Sequence, residues 1–148
     1  VDEFAYHSVE LLKYYRNPIW FPENNEWGQV VISKAEDMGY KNFGYQDEKK
    51  TKLGWKTTGA EKGGTGGNRV LLWGEFMTAV NNSQVVIYNE DGIKSLYHII
   101  RNADKNGRLE AERGHHDDYA MMVAIAWFNR EKAYTSQRVA IRSYSYKE

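Results

Sequence analysis

A chain of 148 residues, 41% of them hydrophobic, is long enough to form one domain with a real core. Its 20 basic and 20 acidic residues cancel, so any binding of nucleic acid would depend on a local basic patch. The lack of cysteine excludes disulfides and cysteine-based zinc sites. We expect a single domain over 1–148, without a membrane-spanning helix or a signal peptide.

The N-terminal third is predicted to alternate helices with strands. Apolar residues at helical spacing predict helices over 2–15 and 27–38, the second closed by Gly39 as a C-cap. A short continuous apolar run at 19–21 predicts a buried strand, and 40–45 predicts a poorer one.

The middle of the chain changes character twice. Residues 46–68 are polar and rich in glycine, which predicts a flexible loop. A clear amphipathic pattern predicts a helix over 69–82, and the apolar run at 85–88 predicts a third strand. Asp91 is predicted to cap a further helix over 92–100.

The C-terminal third is predicted to hold one long helix. Residues 103–114 read as a turn with a short extended segment, 117–134 as a helix, and 135–148 as a tail that forms an edge strand or a loose end. The helix residues predicted in the core are Met121, Met122, Trp127 and Phe128. Strands that alternate with helices indicate an α/β domain with a largely parallel sheet, in which ligands gather beyond the carboxyl ends of the strands.

Asp117 and Asp118 open a predicted helix, 119–127, that is almost wholly apolar. Such a helix belongs in a core and would hold the two carboxylates rigidly. Carboxylate oxygens are hard ligands suited to Mg²⁺ or Mn²⁺. The alternative is helix capping, because Asp is a preferred N-cap residue and its charge suits the positive end of the helix dipole.

Glu23 directly follows the first predicted strand, where its backbone would be fixed. We expect it to bind a metal ion, supported by a hydrogen bond from Asn24. The alternative is a solvated glutamate in a turn. Together with Asp117 and Asp118 it favours a site for two divalent ions about 4 Å apart, an arrangement that hydrolyses phosphodiester bonds. The sequence offers no convincing third acidic segment.

His115 and His116 precede the two aspartates. Imidazole binds Mn²⁺ and Zn²⁺, and we expect His116 to support the metal ligands. The alternative is a loop histidine that packs or hydrogen bonds.

A run of lysines in the polar segment forms a local basic patch. It could hold a phosphate backbone, with Trp55 either stacking on a base or anchoring the loop. The alternative is a solvated loop. The predicted DNA-binding residues are Lys49, Lys50, Lys52, Trp55, Lys56 and Lys62.

Four short motifs follow one another along residues 1–130. They are Phe21-Pro22-Glu23-Asn24-Asn25-Glu26-Trp27-Gly28, Gly39-Tyr40, Gly54-Trp55-Lys56-Thr57 and Gly114-His115-His116-Asp117-Asp118. In this order and spacing, the chain resembles the C-terminal nuclease domain of the large terminase subunit of tailed bacteriophages.

The resemblance implies an RNase H-like fold, a mixed sheet flanked by helices. It also implies a site for two Mg²⁺ or Mn²⁺ ions that cuts concatemeric viral DNA during packaging. Glu23 matches the family's central acidic ligand, and Asp117 and Asp118 match its acidic pair. The family's domain begins with a strand meander that carries another metal-binding Asp, and residues 1–18 do not resemble it. We therefore expect a fragment of a larger protein, incomplete at the N-terminal side, that cuts DNA poorly by itself.

The implied partners are double-stranded DNA, the terminase ATPase domain, the small terminase subunit and the portal, with no membrane. The implied location is the cytoplasm of the infected host cell, without secretion. Two alternatives stay open. One is a non-catalytic DNA- or portal-binding module with the same fold, which Mn²⁺-dependent nicking of plasmid DNA would distinguish. The other is an RNase H-like nuclease of the resolvase or transposase type, whose substrates differ, so that a comparison of branched with linear DNA would distinguish it.

Overall fold

The computed structural model describes residues 1–58, 67–103 and 107–137. Its elements are α1 (Asp2–Tyr14), α2 (Glu26–Asp37), α3 (Asn68–Asn81), α4 (Glu90–Leu96), β1 (Ile99–Asn102), β2 (Arg108–Ala111), α5 (Asp118–Phe128) and α6 (Arg130–Gln137). The mixed helix and strand content confirms the α/β class. The chain divides into two compact units: unit 1 holds Val1–Thr57 and the residues from Asn129 on, and unit 2 holds Thr58–Phe128.

In unit 1, α1 packs against α2. The first turn of α1 carries Asp2 and Glu3 and its last turn Lys13, charges that suit the two ends of the helix dipole. Its buried residues, Ala5 and Val9, are four positions apart and therefore lie on one face. The core cluster around this face is formed by Val9, Ile32, Ala35, Tyr40 and Phe43, with Leu12, Trp20, Met38 and Leu53 packed on it.

The predicted strands at 19–21 and 40–45 are reduced to single bridges. These bridges join Trp20 to Phe43 and Glu23 to Trp55 in parallel, and Tyr45 to Leu53 antiparallel. Pro22 has no amide hydrogen and cannot donate to a ladder, which helps to keep the pairing short. The only regular sheet among the described residues is the antiparallel pair of β1 and β2, so the prediction of a largely parallel sheet is wrong for them.

Helix α2 has well-defined ends. The Asn25 side chain accepts a hydrogen bond from the Gly28 amide (2.8 Å), an N-cap that starts the helix one residue before the predicted position. At the other end Gly39 has a φ of +84°. The Gly39 amide donates to Glu36 O and the Tyr40 amide to Ala35 O, which is the Schellman arrangement. The predicted C-cap at Gly39 is confirmed.

The single helix predicted over 117–134 is two helices, α5 and α6. They meet at Asn129, which is buried. Asparagine is a poor residue for a helix interior because its side chain competes for backbone hydrogen bonds. One helix was predicted because the apolar spacing on both sides of Asn129 is compatible with a helix.

Within unit 1, Lys132 joins helix α6 to the N-terminal part of the chain. Its Nζ donates to Tyr45 O (2.7 Å) and lies 5.2 Å from the centroid of the Phe21 ring. Burial lowers the pKa of this ammonium group, while Asp47 and Glu48 oppose the change. The Lys132 ammonium therefore connects α6 to the two segments that carry Phe21 and Tyr45.

In unit 2, α5 packs against both α3 and α4. The predicted helix at 69–82 is confirmed as α3. The buried residues of the two longer helices are Leu72, Trp73, Phe76 and Ala79 in α3, and Ala120, Met121, Ala124 and Ile125 in α5. Gly92 lets α4 approach the Tyr119 ring, where an added Cβ would lie 2.1 Å from ring carbon.

Three predictions for unit 2 are wrong. The cap of α4 is Asn89, whose Oδ1 accepts from the Gly92 amide (2.7 Å), whereas Asp91 lies inside the first turn. The helix ends at Leu96, because the following residues pair as β1 with β2. The predicted strand at 85–88 is not formed, because these residues pair with no strand among the described residues.

Part of the predicted loop (59–66) and most of the predicted tail (138–148) lie outside the described residues. Within the described ranges, no helix has the length and apolar character needed to cross a bilayer.

Candidate metal and nucleic-acid residues

Glu23 is fixed by its backbone on two sides. The Trp55 amide donates to Pro22 O (2.8 Å), and the Asn24 amide donates to Trp55 O (2.6 Å). On the other side the Glu23 carbonyl lies against α2, where a Cβ added at Gly28 would be 1.7 Å from it. The Glu23 side chain is exposed. A fixed backbone with an accessible carboxylate is what a metal ligand needs.

Asn24, next to Glu23, is oriented by a hydrogen bond of its own. Its Nδ2 donates to Leu53 O (2.8 Å), which fixes the orientation of the side chain. Its Oδ1 is buried and has no hydrogen-bond partner among the described residues. A buried polar atom without a partner is costly. This oxygen next to Glu23 is therefore ready to accept a hydrogen bond from a bound water molecule.

Asp117 is paired with an arginine. The Arg69 guanidinium, in the first turn of α3, donates to Asp117 Oδ2, and only 12% of the Arg69 side chain and 27% of the Asp117 side chain are exposed. Arg69 Nε also donates to Leu109 O (3.3 Å). The Asp117 carbonyl accepts from the Met121 amide (2.8 Å) and so begins the hydrogen bonding of α5. The carboxylate is thus held by a cation that the protein itself supplies.

Asp118 is the first residue of α5 and is exposed. Its charge is favourable at the helix N-terminus, and the buried face of α5 fixes its backbone.

The buried face of α5 contains Met121, as predicted, but Met122 is 55% exposed and Trp127 and Phe128 are half-buried. The prediction that all four are core residues is wrong for Met122, because neighbouring positions on a helix point in different directions.

His115 and His116 occupy different environments. The His115 amide donates to Glu112 O (2.9 Å) across a turn in which Gly114 has a φ of +90°. This turn brings the His115 ring onto the His98 ring, with centroids 3.5 Å apart. His116 is exposed, and its predicted support of the metal ligands stays a prediction.

The lysine-rich segment is a closed turn as far as it is described. Asp47 accepts from Thr51 Oγ1 (2.7 Å), the Thr51 amide (3.0 Å) and the Lys52 amide (2.7 Å). These hydrogen bonds, that from the Thr51 hydroxyl above all, lower the pKa of Asp47. The first part of the predicted flexible loop is therefore an ordered turn.

The predicted DNA-binding residues divide by exposure. The ammonium side chains of Lys49, Lys50, Lys52 and Lys56 are exposed. Trp55 is 2% exposed, so its burial favours the anchoring role over stacking on a base. Lys62 lies outside the described residues.

The predicted acidic ligands belong to different units. Glu23 and Asn24 are part of unit 1, whereas Asp117 and Asp118 are part of unit 2. That these carboxylates bind the same ions stays a prediction.

Sequence reasoning missed three residues around the second acidic segment: Arg69, His98 and Glu112. Arg69 comes 48 residues before its partner Asp117, and no local pattern indicates such a pair. A signal for the other two was present. Asn106-Gly107 is a dipeptide typical of a hairpin turn, which would have predicted that the flanking segments pair. It would not have given the register, because a two-residue loop there sets His98 opposite His115, whereas the observed pairing sets it opposite Glu112.

In comparisons with known proteins, no family model, curated protein or solved structure gives a significant match to this chain.

Proposed function

We propose that this chain is a metal-dependent DNA endonuclease domain of the terminase large subunit type, with an RNase H-like fold. The observation that carries the proposal is the Glu23–Asn24 segment. There an accessible carboxylate on fixed backbone adjoins a buried amide oxygen without a partner among the described residues. The hydrogen bond from Asn24 Nδ2 to Leu53 O orients this amide, and a bound water molecule beside Glu23 would give its oxygen a partner.

The donor set fits Mg²⁺ or Mn²⁺. Glu23, Asp117 and Asp118 supply carboxylate oxygens, and these cations prefer hard oxygen ligands. Two ions bound there would make a water molecule nucleophilic and stabilise the leaving oxygen of a phosphodiester.

The chain's own residues supply the remaining functions. Glu23 and Asp118 hold negative charge on fixed backbone, and Arg69 orients Asp117 through one of its two oxygens. Asn24 Oδ1 would accept a hydrogen bond from a bound water molecule. The exposed Lys49, Lys50 and Lys52 bind phosphates of the DNA backbone, which gives an affinity that falls steeply with salt.

The same family assignment proposes the partners and location: double-stranded DNA, the ATPase domain, the small terminase subunit and the portal, in the host cytoplasm. One observation favours a second candidate, a non-catalytic DNA- or portal-binding module. The Arg69 guanidinium already neutralises Asp117, as a purely structural ion pair would.

Nicking of supercoiled plasmid DNA with Mn²⁺ separates these candidates. We expect slow nicking above the metal-free level, reduced by about 100-fold or more in Glu23→Gln and Asp118→Asn, since the amides lose the charge that binds the ion. Asp91→Asn is the matched control, because Asp91 is an exposed aspartate in the first turn of α4, and it should nick like the parent.

Nicking that survives in both variants would contradict the proposed ligands. Metal-dependent retention of DNA without any nicking would favour the binding module. A clear preference for branched over linear DNA would instead indicate a nuclease of the resolvase or transposase type.

A further inference from the structure

The base of the β1–β2 hairpin gathers two imidazoles and a carboxylate outside the site described above. His98 and Glu112 directly flank the paired strands, and the Glu112 amide donates to His98 O (2.7 Å), which extends the ladder by one step. His98 Nδ1 lies 3.4 Å from Glu112 Oε2. The two side chains therefore face each other across the end of the hairpin.

His115 is brought to the same place by the turn that follows β2. Gly114, with its φ of +90°, and the hydrogen bond from the His115 amide to Glu112 O reverse the chain. The two imidazole rings stack with their planes within 10° of parallel. Each of the three residues offers one ligand atom, and all three atoms lie within 4.8 Å of one another.

We propose that His98, Glu112 and His115 bind a divalent transition-metal ion of the zinc class. Two imidazole nitrogens and one carboxylate oxygen are a donor set that suits zinc, and they leave a fourth tetrahedral position for water. Ligand atoms around zinc are about 3.3 Å apart, because Zn–N and Zn–O bonds are about 2.0–2.1 Å. In the stack the two ring planes are nearly parallel, so their nitrogen lone pairs do not point at one position. Binding therefore requires an imidazole to rotate out of the stack towards Glu112, while the backbone keeps the three residues together.

This site differs in chemistry from the proposed nuclease site. Imidazole is a poor ligand for Mg²⁺, so the hairpin site should not bind Mg²⁺, which the carboxylate site can hold. An ion bound there would tie the hairpin to the turn that leads into Asp117, and so restrain the start of α5. The inference does not depend on the proposed nuclease function, because zinc binding is measured without DNA and without the predicted ligands of that function.

Calorimetric titration of the full chain with Zn²⁺ tests the proposal. We expect one site with an affinity in the micromolar range that excess Mg²⁺ does not displace. His98→Ala, His115→Ala and the isosteric Glu112→Gln should each weaken it by about 10-fold or more. His7→Ala is the matched control, because His7 is an exposed histidine that faces only one carboxylate, Glu3, at 3.8 Å. Melting curves without zinc check that every variant is folded.

Long-range ¹H–¹⁵N spectra of the imidazoles identify the ligands directly, since the chain has only four histidines. Zinc should shift the ring nitrogens of His98 and His115 and leave those of His7 unchanged. The proposal is overturned if no saturable zinc binding is detected. It is also overturned if the three variants bind zinc like the parent, or if His116 shifts in place of His115.

Discussion

The two acidic segments are positioned by different forces. Glu23 is placed by main-chain hydrogen bonds to Trp55 and by the close approach of its carbonyl to Gly28. Asp117 is placed by a side-chain ion pair with Arg69 at the start of a helix. The first segment depends on packing and backbone, the second on charge. The consequence is that substitutions in the two segments should fail in distinguishable ways.

The largest effect should come from removing the anchor of the first segment. Trp55→Ala empties a site that is 2% exposed, and we expect a loss of about 3–5 kcal/mol in the free energy of unfolding. Trp27→Ala is the control, because Trp27 is 71% exposed and its loss should change stability little. Denaturant melts of both variants make the comparison. Equal effects would mean that Trp55 does not anchor the segment.

The second segment should respond to loss of charge pairing. Arg69→Met leaves Asp117, only 27% exposed, without its cation, and we expect a cost of about 1–3 kcal/mol. Lys94→Met removes an exposed cation near Glu90 and should cost less than about 0.5 kcal/mol. The double variant Arg69→Met, Asp117→Asn should recover part of the loss. A double variant no more stable than Arg69→Met would show that the ion pair does not hold Asp117.

For Gly28→Ala, two effects predict opposite signs for the change in the free energy of unfolding. Helix propensity alone predicts a gain of about 1 kcal/mol from this change in α2. The new Cβ would instead lie 1.7 Å from the Glu23 carbonyl oxygen, so we expect a net loss of about 1–3 kcal/mol. Gly74→Ala in α3, where an added Cβ has nothing within 4 Å, should be stabilising. Chemical denaturation of the two variants measures both changes in the free energy of unfolding. A stabilising Gly28→Ala would contradict the close contact with Glu23.

The smallest effect should be a dependence of stability on pH at Asp47. Hydrogen bonds from Thr51 and Lys52 lower the pKa of Asp47 in the folded state. The ionised carboxylate therefore stabilises the folded protein at pH values above the pKa that Asp47 has in the unfolded chain. This contribution is lost as the pH falls below about 4. The melting temperature of Asp47→Asn should therefore lie below that of the parent at neutral pH, and the difference should shrink on acidification. A difference that stays constant with pH would contradict the assignment.

Local patterns predicted the helices better than the pairings. The apolar spacing that predicted 69–82 identified α3 within one residue at each end. Gly39 was predicted as a C-cap because its backbone geometry depends on the residue itself. In contrast, 92–100 was predicted as one helix, although Ile99 and Ile100 belong to β1. A short apolar run fits the period of a helix and that of a strand equally well.

The candidate site shows the same limit. Glu23 and Asp118 were predicted from their places beside a strand end and a helix start, which are local properties. The Arg69 pair depends on a contact between distant parts of the chain, and the facing of His98 and Glu112 depends on the register of a hairpin. Such contacts are set by how the elements pack, and hydrophobic periodicity carries no information about them.

The binding of Mn²⁺ to the parent chain, Glu23→Gln, Asp118→Asn and the double variant tests the central claim most directly. Electron paramagnetic resonance of free Mn²⁺ gives the affinities without requiring cleavage. If Glu23 and Asp118 bind the same ions, each single variant should weaken binding by about 10-fold or more, and the double variant should be little weaker than either. Independent effects that multiply in the double variant, or an affinity unchanged in both singles, would contradict the claim.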